Sequence, residues 1–480
     1  MNLRQITRVS VNDSQVYLVR VPGDLTKLPL DSKELDYIKK QHRRYREDFF
    51  SFNKYDNFLF VCFLPKAGKR SEQANDARKK AYKVFNELVN EDIETLAVKH
   101  VQDNDYELLA FAEGFTLSSY QFDKYKSKKS EPKRKLALKT LKVISKTLSP
   151  IELQEVDILT RANFMARDLV NEPLNHLNAE VLAERIAQEC KKRNVLVEVM
   201  NKTKIASLKM GGLLAVNKGS VDPPTFTIAE WKPEKYFNQK PIVLVGKGIV
   251  YDTGGMSLKP ANSMSGMKAD MSGAATVAAT ICAIAEAKLP VHVIGLIPAT
   301  DNRTHGNAYV PDDIIEMYDG TTVEVVNTDA EGRLILADAL LYAKKYDPEI
   351  VIDAATLTGA AMRAIGNQGA VGMNNRAGIQ MTKLVKAGED VYERVVEFPL
   401  WDEYKEMIKS EVADLKNVGG STAGAITAGK FLEYFTDYPF IHLDIAGVAH
   451  IDKKDSYRGV GATGFGVRLL FRFLQDLMEK

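Results

Sequence analysis

Two stretches of the chain combine acids, basic residues and glycines at spacings that suit metal-dependent chemistry. The first, VNTDAEGRL from Val326 to Leu334, places two acids one residue apart and an arginine two residues later. Thr321 to Val326 has strand character, and the segment after Leu334 has apolar residues at helical spacing, so an elbow from strand to helix is predicted. On it, Asp329 and Glu331 can hold a metal, while Arg333 beside free helix N–H groups can hold an anion.

The second stretch lies upstream and reads VGKGIVYDTGGMSLKP, followed by KADMSG. Pro241 to Val245 is predicted to be a buried strand, and the glycines after it let the backbone pack close to a site. The turn that follows the strand supplies two lysines and two acids, namely Lys247, Asp252, Lys259 and Asp270.

The four acids of the two stretches could together hold a pair of divalent cations. Two such ions about 3.5 Å apart need bridging carboxylates to screen their repulsion, and four carboxylates without cations would repel one another. Neither His nor Cys lies in the set, which argues against a single structural zinc. Oxygen ligands instead favour zinc, manganese or magnesium.

Ordinary structural roles remain open for each of these residues. Asp270 could cap a helix from Met271 to Ala287, and Asp329 could cap the helix after the elbow. Lys247 could bind a phosphate or form an ion pair, although no Ser or Thr follows it as in a P-loop. As a metal ligand its amine would have to lose a proton, which an adjacent dication favours.

These motifs resemble the leucyl aminopeptidase family of two-metal exopeptidases, and NTDAEGRL is similar to that family's signature. The likeness covers roughly residues 155–470. Besides the glycine-rich turn, it runs through ARDLVNEP (166–173), ATLTGA (355–360), ADLKNVGG (413–420), AGAITA (423–428) and HLDIAG (442–447).

The resemblance implies a role for each candidate residue. One metal would be bound by Lys247, Asp252, Asp270 and Glu331, and the other by Asp252, Asp329 and Glu331. A water between the metals would be the nucleophile.

The resemblance also implies roles beyond the metal ligands. Lys259 would polarise the scissile carbonyl, and Arg333 would hold a bicarbonate ion that acts as general base. The substrate's free α-amine would bind the metal at the end of Lys247. A side-chain pocket would be lined by Met267, Thr356, Gly359, Ala446 and Ala449, although Ala446 and Ala449 could equally be core residues.

Composition bounds the remaining classes of function. The chain has 480 residues, 45% of them apolar, and a formal charge of +2, so it has no bulk electrostatic reason to bind nucleic acid or anionic membrane. Its three cysteines are widely spaced and read as buried thiols of a reducing compartment. The N-terminal segment lacks the apolar core of a signal peptide, and no apolar run is long enough to cross a bilayer, so a cytoplasmic protein is predicted.

The order of elements predicts an α/β protein of two domains. Residues 1–150 would form a small N-terminal α/β domain for packing or assembly. Residues 151–480 would form a larger catalytic α/β domain, because strand candidates there alternate with helices, which is typical of a mostly parallel central sheet flanked by helices. Strand candidates for this sheet include residues 225–231, 291–297, 322–326 and 440–444, and Asn178 is a candidate N-cap of the helix that begins at Ala179. The basic segment from Lys124 to Lys135 is interpreted as a solvated loop rather than a nucleic-acid patch.

The sequence therefore predicts a metal-dependent aminopeptidase that removes large apolar N-terminal residues, such as leucine, from short peptides. The resemblance further implies a homohexamer with enclosed active sites. Two alternatives stay open from the residues. A metallo-phosphoesterase would use the same carboxylates with Arg333, and a catalytically silent relative could bind DNA through the basic segment.

Overall fold

A computed structural model describes residues 1–10, 12–20, 23–127 and 136–478. The chain divides into two compact units, one of Met1–Arg161 with Lys453–Gly459 and the other of Ala162–Asp452 with Val460–Lys480. The division lies within helix α4, Pro150–Asn171, at whose first residue the predicted boundary falls.

The first unit contains a six-stranded sheet and, among its described residues, three complete α-helices and the beginning of α4. Its elements are β1 (Asn2–Ile6), β2 (Ser14–Arg20), α1 (Ser32–Tyr45), β3 (Phe49–Asn53), β4 (Phe58–Leu64), α2 (Arg70–Leu88), β5 (Thr95–His100), α3 (Asp105–Ser118) and β6 (Thr140–Ile144). The strand order is β1-β6-β5-β2-β4-β3, and all neighbours are parallel except β3 and β4.

Helices α2 and α3 of this unit pack unusually closely. A Cβ atom at Gly114 would lie 2.5 Å from the Cα atom of Arg78, so only glycine permits this approach. The same helices carry buried charges, and Arg78 Nε donates to Glu113 Oε2 at 2.5 Å. Glu107 on α3 is fully buried and pairs with Arg20 and His100.

The second unit contains the larger sheet. After α4 its elements are α5 (Ala179–Lys191), β7 (Leu196–Met200), α6 (Lys202–Ser207), α7 (Gly211–Asn217), β8 (Thr225–Trp231), β9 (Ile242–Gly246), β10 (Gly248–Asp252), α8 (Ala261–Met264), α9 (Ser272–Glu286), β11 (Val293–Asn302), β12 (Ile314–Glu316), β13 (Thr322–Glu324), α10 (Glu331–Ala343), β14 (Ile350–Ala355), α11 (Gly359–Ile365), β15 (Ala370–Asn375), α12 (Gly378–Val391), β16 (Val395–Glu397), β17 (Leu415–Lys416), α13 (Gly424–Tyr434), β18 (Phe440–Asp444), β19 (His450–Asp455), β20 (Gly459–Ala462) and α14 (Val467–Met478).

The central sheet has the order β16-β15-β18-β14-β9-β11-β8-β7, with β10 paired to β11. Its middle strands are mutually parallel, and the antiparallel pairs lie toward the two edges. Alternate residues of β11 show that helices cover both faces. Ile294 and Leu296 share a core with α10, whereas a Cβ at Gly295 would meet Val277 and Ile281 of α9. The predicted fold, α/β with a mostly parallel sheet, is confirmed.

Five parallel strands of this sheet deliver polar residues to one edge. β10, β11 and β18 end on Asp252, Asn302 and Asp444, while Lys247 and Thr356 directly follow β9 and β14. Because the carboxyl ends of parallel strands meet at the same edge, these side chains gather where ligands bind in open α/β sheets.

The structure corrects two predictions about local structure around the site. The strand predicted before the elbow is the three-residue strand β13. It belongs to a separate three-stranded sheet with β12 and β17 and not to the central sheet. The segment after β9 is not a continuous turn, because β10 forms within it and pairs with β11. Its valine, isoleucine and tyrosine favour a strand despite the flanking glycines.

Two further predictions concern cysteines and surface segments. Cys62, Cys190 and Cys282 are free and buried, as predicted. Within the described ranges, no helix is long and apolar enough to cross a bilayer. In the basic segment, Lys124 lies over the ring of Tyr125, with 5.5 Å between Nζ and the centroid, but residues 128–135 lie outside the described residues.

Candidate metal centre

The structure brings the acids of the two sequence stretches together. One carboxylate oxygen from each of Asp252, Asp329 and Glu331 lies within 4.8 Å of the others. Asp252 and Glu331 are buried, and the Asp329 side chain is about one-third exposed at 32%. Acids separated by some 80 residues thus form one cluster at the carboxyl edge of the sheet.

Lys247 connects this cluster to Asp270. Its Nζ lies 2.8 Å from both carboxylate oxygens of Asp270 and 3.0 Å from Glu331 Oε1, and it donates to the carbonyl of Thr356 at 2.8 Å. Burial alone would lower the pKa of Lys247, but the charges of Asp270 and Glu331 outweigh burial and raise it. A Cβ at Gly332 would lie 2.6 Å from this Nζ, so any side chain there would displace the amine.

Lys259 occupies the opposite side of the cluster. Its Nζ lies 2.9 Å from Asp252 Oδ2 and also pairs with Asp329 Oδ1. Burial would lower the pKa of this amine, but the two carboxylates raise it. In this structure the ammonium groups of Lys247 and Lys259 therefore occupy positions at which the carboxylates attract positive charge.

The capping roles left open by the sequence are excluded. Helix α9 has Met271 at its N-cap and α10 has Ala330, and neither cap residue forms a side-chain capping bond. Asp270 instead accepts a hydrogen bond from Thr356 Oγ1 at 2.8 Å, besides its contact with Lys247. The acids therefore face one another instead of the helix ends.

Charge balance and hydrogen bonding indicate that the residues fit divalent cations. Four carboxylates face two ammonium groups, which leaves two negative charges uncompensated. In the part of the chain that the structure describes, no group hydrogen-bonds to the buried Glu331 Oε2. Burial raises the pKa of both Glu331 and Asp270. Such a site is costly without cations, and oxygen donors with one amine suit borderline or hard dications.

Arg333 lies in the first turn of α10, as predicted, and is buried. Its Nη1 donates to the carbonyl of Asn417 at 2.7 Å, while no described residue accepts a hydrogen bond from its Nε. Burial lowers the pKa of Arg333 to about 10, although Glu331 and Asp444 favour the charged form. A buried guanidinium with a free N–H donor can bind a small anion.

Two of the predicted pocket residues are linked to Asp270. Thr356 contacts both Asp270 and Lys247, and Met267 begins the short 3-10 helix that carries Asp270. Asp444 joins two further segments, because its carboxylate accepts hydrogen bonds from the N–H groups of Leu357 and Ala446 and from Thr358 Oγ1.

Gly359 and Ala449 are two further predicted pocket residues. Gly359 is exposed at the start of α11, and a Cβ there would lie 3.2 Å from Arg363 Nη1. Ala449 is buried, which suits the core role left open by the sequence, and its carbonyl accepts a hydrogen bond from Thr463 N at 3.0 Å.

Sequence reasoning missed the polar residues behind the carboxylates. Asn302 contacts Asp252, and Thr328 connects the glycine-rich turn to the elbow. The predicted strand over 291–297 stopped five residues short of Asn302, because Pro298 and the polar residues after it obscure the strand pattern. Continuing this strand to its end would have placed Asn302 at the same edge as Asp252.

Comparison with known sequences identifies relatives. A sequence model of the catalytic domain of the cytosol aminopeptidase family matches residues 164–471, and the model of that family's N-terminal domain matches residues 67–129. A "probable cytosol aminopeptidase" of Chloroherpeton thalassium is 46% identical over 82% of this chain and 78% of its own length. One from Chlorobaculum tepidum is 47% identical over 84% of each chain.

A solved structure is also similar over nearly the whole chain. The bottromycin maturation enzyme BotP in complex with Mn has a TM-score of 0.85 and 29% sequence identity. The similarity covers 97% of this chain and 99% of that one. The likeness therefore includes both units and the edge of the central sheet at which the acids gather.

Proposed function

Because this chain belongs to the cytosol aminopeptidase family and is a metal-dependent aminopeptidase, we propose that it removes large apolar N-terminal residues, such as leucine, from short peptides. The observation that carries the proposal is the buried carboxylate cluster, in which Glu331 keeps one oxygen without a hydrogen-bond partner among the described residues. A buried carboxylate in this state is strongly stabilised by a cation.

We assign two divalent ions, Zn²⁺ or Mn²⁺ with Mg²⁺ as a third candidate, to the cluster. Lys247, Asp252, Asp270 and Glu331 would hold one, and Asp252, Asp329 and Glu331 the other. When bound, the pair supplies Lewis acidity and a shared water of lowered pKa that serves as nucleophile. The contacts of Lys247 with Asp270 and Glu331 support its place in this set, since a dication there would favour its neutral amine.

Lys259 would act on the substrate carbonyl. Its amine is paired with Asp252 and Asp329, and its side chain is 14% exposed. An ammonium group in this partly dry position can stabilise the negative charge that develops on the carbonyl oxygen as the peptide bond is attacked.

Arg333 would hold a bicarbonate ion that accepts the proton of the nucleophile. Its free Nε–H and its burial next to Glu331 support this role. At the other side of the cluster, Asp270 would accept a hydrogen bond from the substrate's α-amine. A peptide with a blocked N-terminus leaves that interaction unmade, which accounts for exopeptidase specificity.

The family assignment supports a proposal for substrate preference and assembly. Met267, Thr356, Gly359, Ala446 and Ala449 would line the side-chain pocket, where small residues leave room for a large apolar group. We further propose a cytoplasmic homohexamer whose enclosed sites admit short peptides. The share of the curated relatives' length that the chain matches, 78% and 84% for two of them, supports a whole-chain likeness.

The proposal is tested with purified protein, metal analysis and a panel of aminoacyl-anilides in Mn²⁺. We expect leucyl-anilide to be among the best substrates, N-acetyl-leucyl-anilide to be inert, and about two metal ions to bind per chain. Release of phosphate from nitrophenyl phosphate without anilide cleavage would favour the phosphoesterase alternative. A salt-dependent DNA shift without peptidase turnover would favour the silent DNA-binding alternative.

A further inference from the structure

A buried amide lies directly behind the carboxylate cluster. Asn302, the last residue of β11, is fully buried, and its Nδ2 donates to two acceptors. One is Asp252 Oδ1 at 2.9 Å and the other is the carbonyl of Thr328 at 3.0 Å. Two acceptors on one nitrogen fix the orientation of the amide, because its oxygen could not occupy that position without repelling both.

These two acceptors belong to different halves of the site. Asp252 ends β10 in the glycine-rich stretch, whereas Thr328 directly precedes Asp329 on the elbow. The Asn302 amide therefore sets the spacing between Asp252 and the pair Asp329 and Glu331. Gly255 makes room for it, since a Cβ there would lie 2.7 Å from Asn302 Oδ1.

The same amide also determines which oxygen Asp252 presents to the cluster. Asp252 Oδ1 accepts hydrogen bonds from Asn302 Nδ2 at 2.9 Å and from the N–H of Gly254 at 2.8 Å. Its Oδ2 points to Lys259 Nζ at 2.9 Å. Because two donors occupy Oδ1, Oδ2 is the oxygen that Asp252 presents to the cluster.

Besides the lysine pairs described above, hydrogen bonds of Thr328 join the two halves without reaching a carboxylate. Thr328 Oγ1 donates to the carbonyl of Gly254 at 2.6 Å and accepts from Ser257 N at 2.8 Å. Tyr309 Oη donates to the same Thr328 carbonyl at 2.8 Å. In each of these contacts a side-chain hydroxyl meets a backbone group, whereas Asn302 connects the elbow to the carboxylate of Asp252 itself.

We propose that Asn302 is a positioning residue of the metal centre, which orients Asp252 through Oδ1 and holds it at the correct distance from Asp329 and Glu331. This inference rests on the proposed function, because it takes the cluster to be the metal site. Residues behind a metal ligand typically change metal affinity 10–100-fold when they are replaced.

The test is Mn²⁺ binding by the metal-depleted full-length protein, measured by calorimetry and by the loss of the free-ion electron paramagnetic resonance signal. For Asn302→Leu, which keeps the shape and removes the donor, we expect binding weaker by about 10–100-fold. We also expect kcat to recover in excess Mn²⁺, because the residue does not contact the substrate. Asn302→Ala should behave alike, which keeps the test valid if the leucine variant folds poorly.

The matched control is Tyr309→Phe, which removes a hydrogen bond to the same Thr328 carbonyl without touching Asp252. We expect its Mn²⁺ affinity to stay within about threefold of the wild type, well under the effect of a residue behind a ligand. Wild-type affinity in folded Asn302 variants would refute the inference, as would an equal loss in Tyr309→Phe. A wild-type protein that binds no Mn²⁺ would instead refute the proposed metal site.

Discussion

Two buried glutamates, one in each unit, have pKa values that are shifted in opposite directions. Glu107 in the first unit is fully buried between Arg20 and His100, with contacts of 2.6 Å to each. Burial alone would raise its pKa, but hydrogen bonds from His100 and Arg20 outweigh burial and lower it. Glu331 is 2% exposed, and burial and the charge of Asp252 raise its pKa, although the ammonium groups of Lys247 and Lys259 oppose that rise.

The difference is the one expected between a structural acid and a metal ligand. Around Glu107, the Arg20 guanidinium and the His100 ring nitrogen both contact the carboxylate, so its charge is satisfied by the chain alone. Around Glu331, neighbouring carboxylates outnumber the ammonium groups, and one of its oxygens has no hydrogen-bond partner among the described residues. Burial is therefore no guide to role, whereas the balance of charge around a buried group is.

The same substitution at both sites gives the strongest test of this contrast. Glu331→Gln should lower kcat/KM for leucyl-anilide at least about a thousandfold, or about 4 kcal/mol of barrier, because a neutral amide cannot neutralise the metals. Metal content, measured by elemental analysis, should fall with it. The metal-free variant should have a melting temperature at or above that of the metal-free wild type, since one uncompensated negative charge is gone.

Glu107→Gln is the matched control for that experiment. Its metal content and turnover at 25 °C should stay within about twofold of the wild type, as expected for a substitution that leaves the metal ligands in place. Full activity with bound metal in Glu331→Gln would show that the imbalance around Glu331 does not mark the site.

A second test increases the excess of negative charge in the carboxylate cluster. Lys259→Met removes one of the two ammonium groups of the cluster, so Mn²⁺ should bind as tightly as in the wild type or more tightly. Turnover at saturating Mn²⁺ should nevertheless fall about 100–1000-fold, the usual cost of one donor to a developing oxyanion. Lys240→Met, which removes an exposed pair with Asp347, is the control and should change neither. Loss of Mn²⁺ binding in Lys259→Met would place this lysine among the ligands instead.

The contrast also shows what the sequence could and could not predict. The strands over 225–231 and 440–444 and the N-cap at Asn178 match the structure, because local pattern and capping chemistry decide them. β13 was assigned to the wrong sheet, because pairing partners are set by residues distant in the chain, here β12 and β17.

The candidate site shows the same limit. The ligand candidates were found because acids near glycines and strand ends are chemically conspicuous in one sequence. The sequence did not reveal the role of Asn302 or the pairing of Glu107 with Arg20, since each depends on segments that meet only in the fold. A helix such as α1, with Ile38 as its one buried residue, leaves too weak an apolar pattern to predict.

The third prediction concerns the contribution of Glu107 to the stability of the fold. Glu107→Gln leaves Arg20 and His100 without a carboxylate, and we expect the free energy of unfolding to fall by about 2 kcal/mol. This is below the usual cost for a fully buried pair because the Arg20 side chain is 32% exposed. Hydrogen exchange of peptides from β5 and α3, followed by mass spectrometry, should report the loss where it occurs. Unchanged protection there would show that the pair contributes nothing to stability.

The smallest expected effect is the pH dependence of that loss. Because the folded-state pKa of Glu107 lies below its unfolded value, ordinarily about 4.3, its contribution is fully present above that value and is lost as pH falls through the folded pKa. The difference in protection between the wild type and Glu107→Gln should stay constant from about pH 7 to pH 5 and shrink below about pH 4. A difference that grows on acidification would mean that the pKa is raised, and Glu107 would then resemble Glu331 after all.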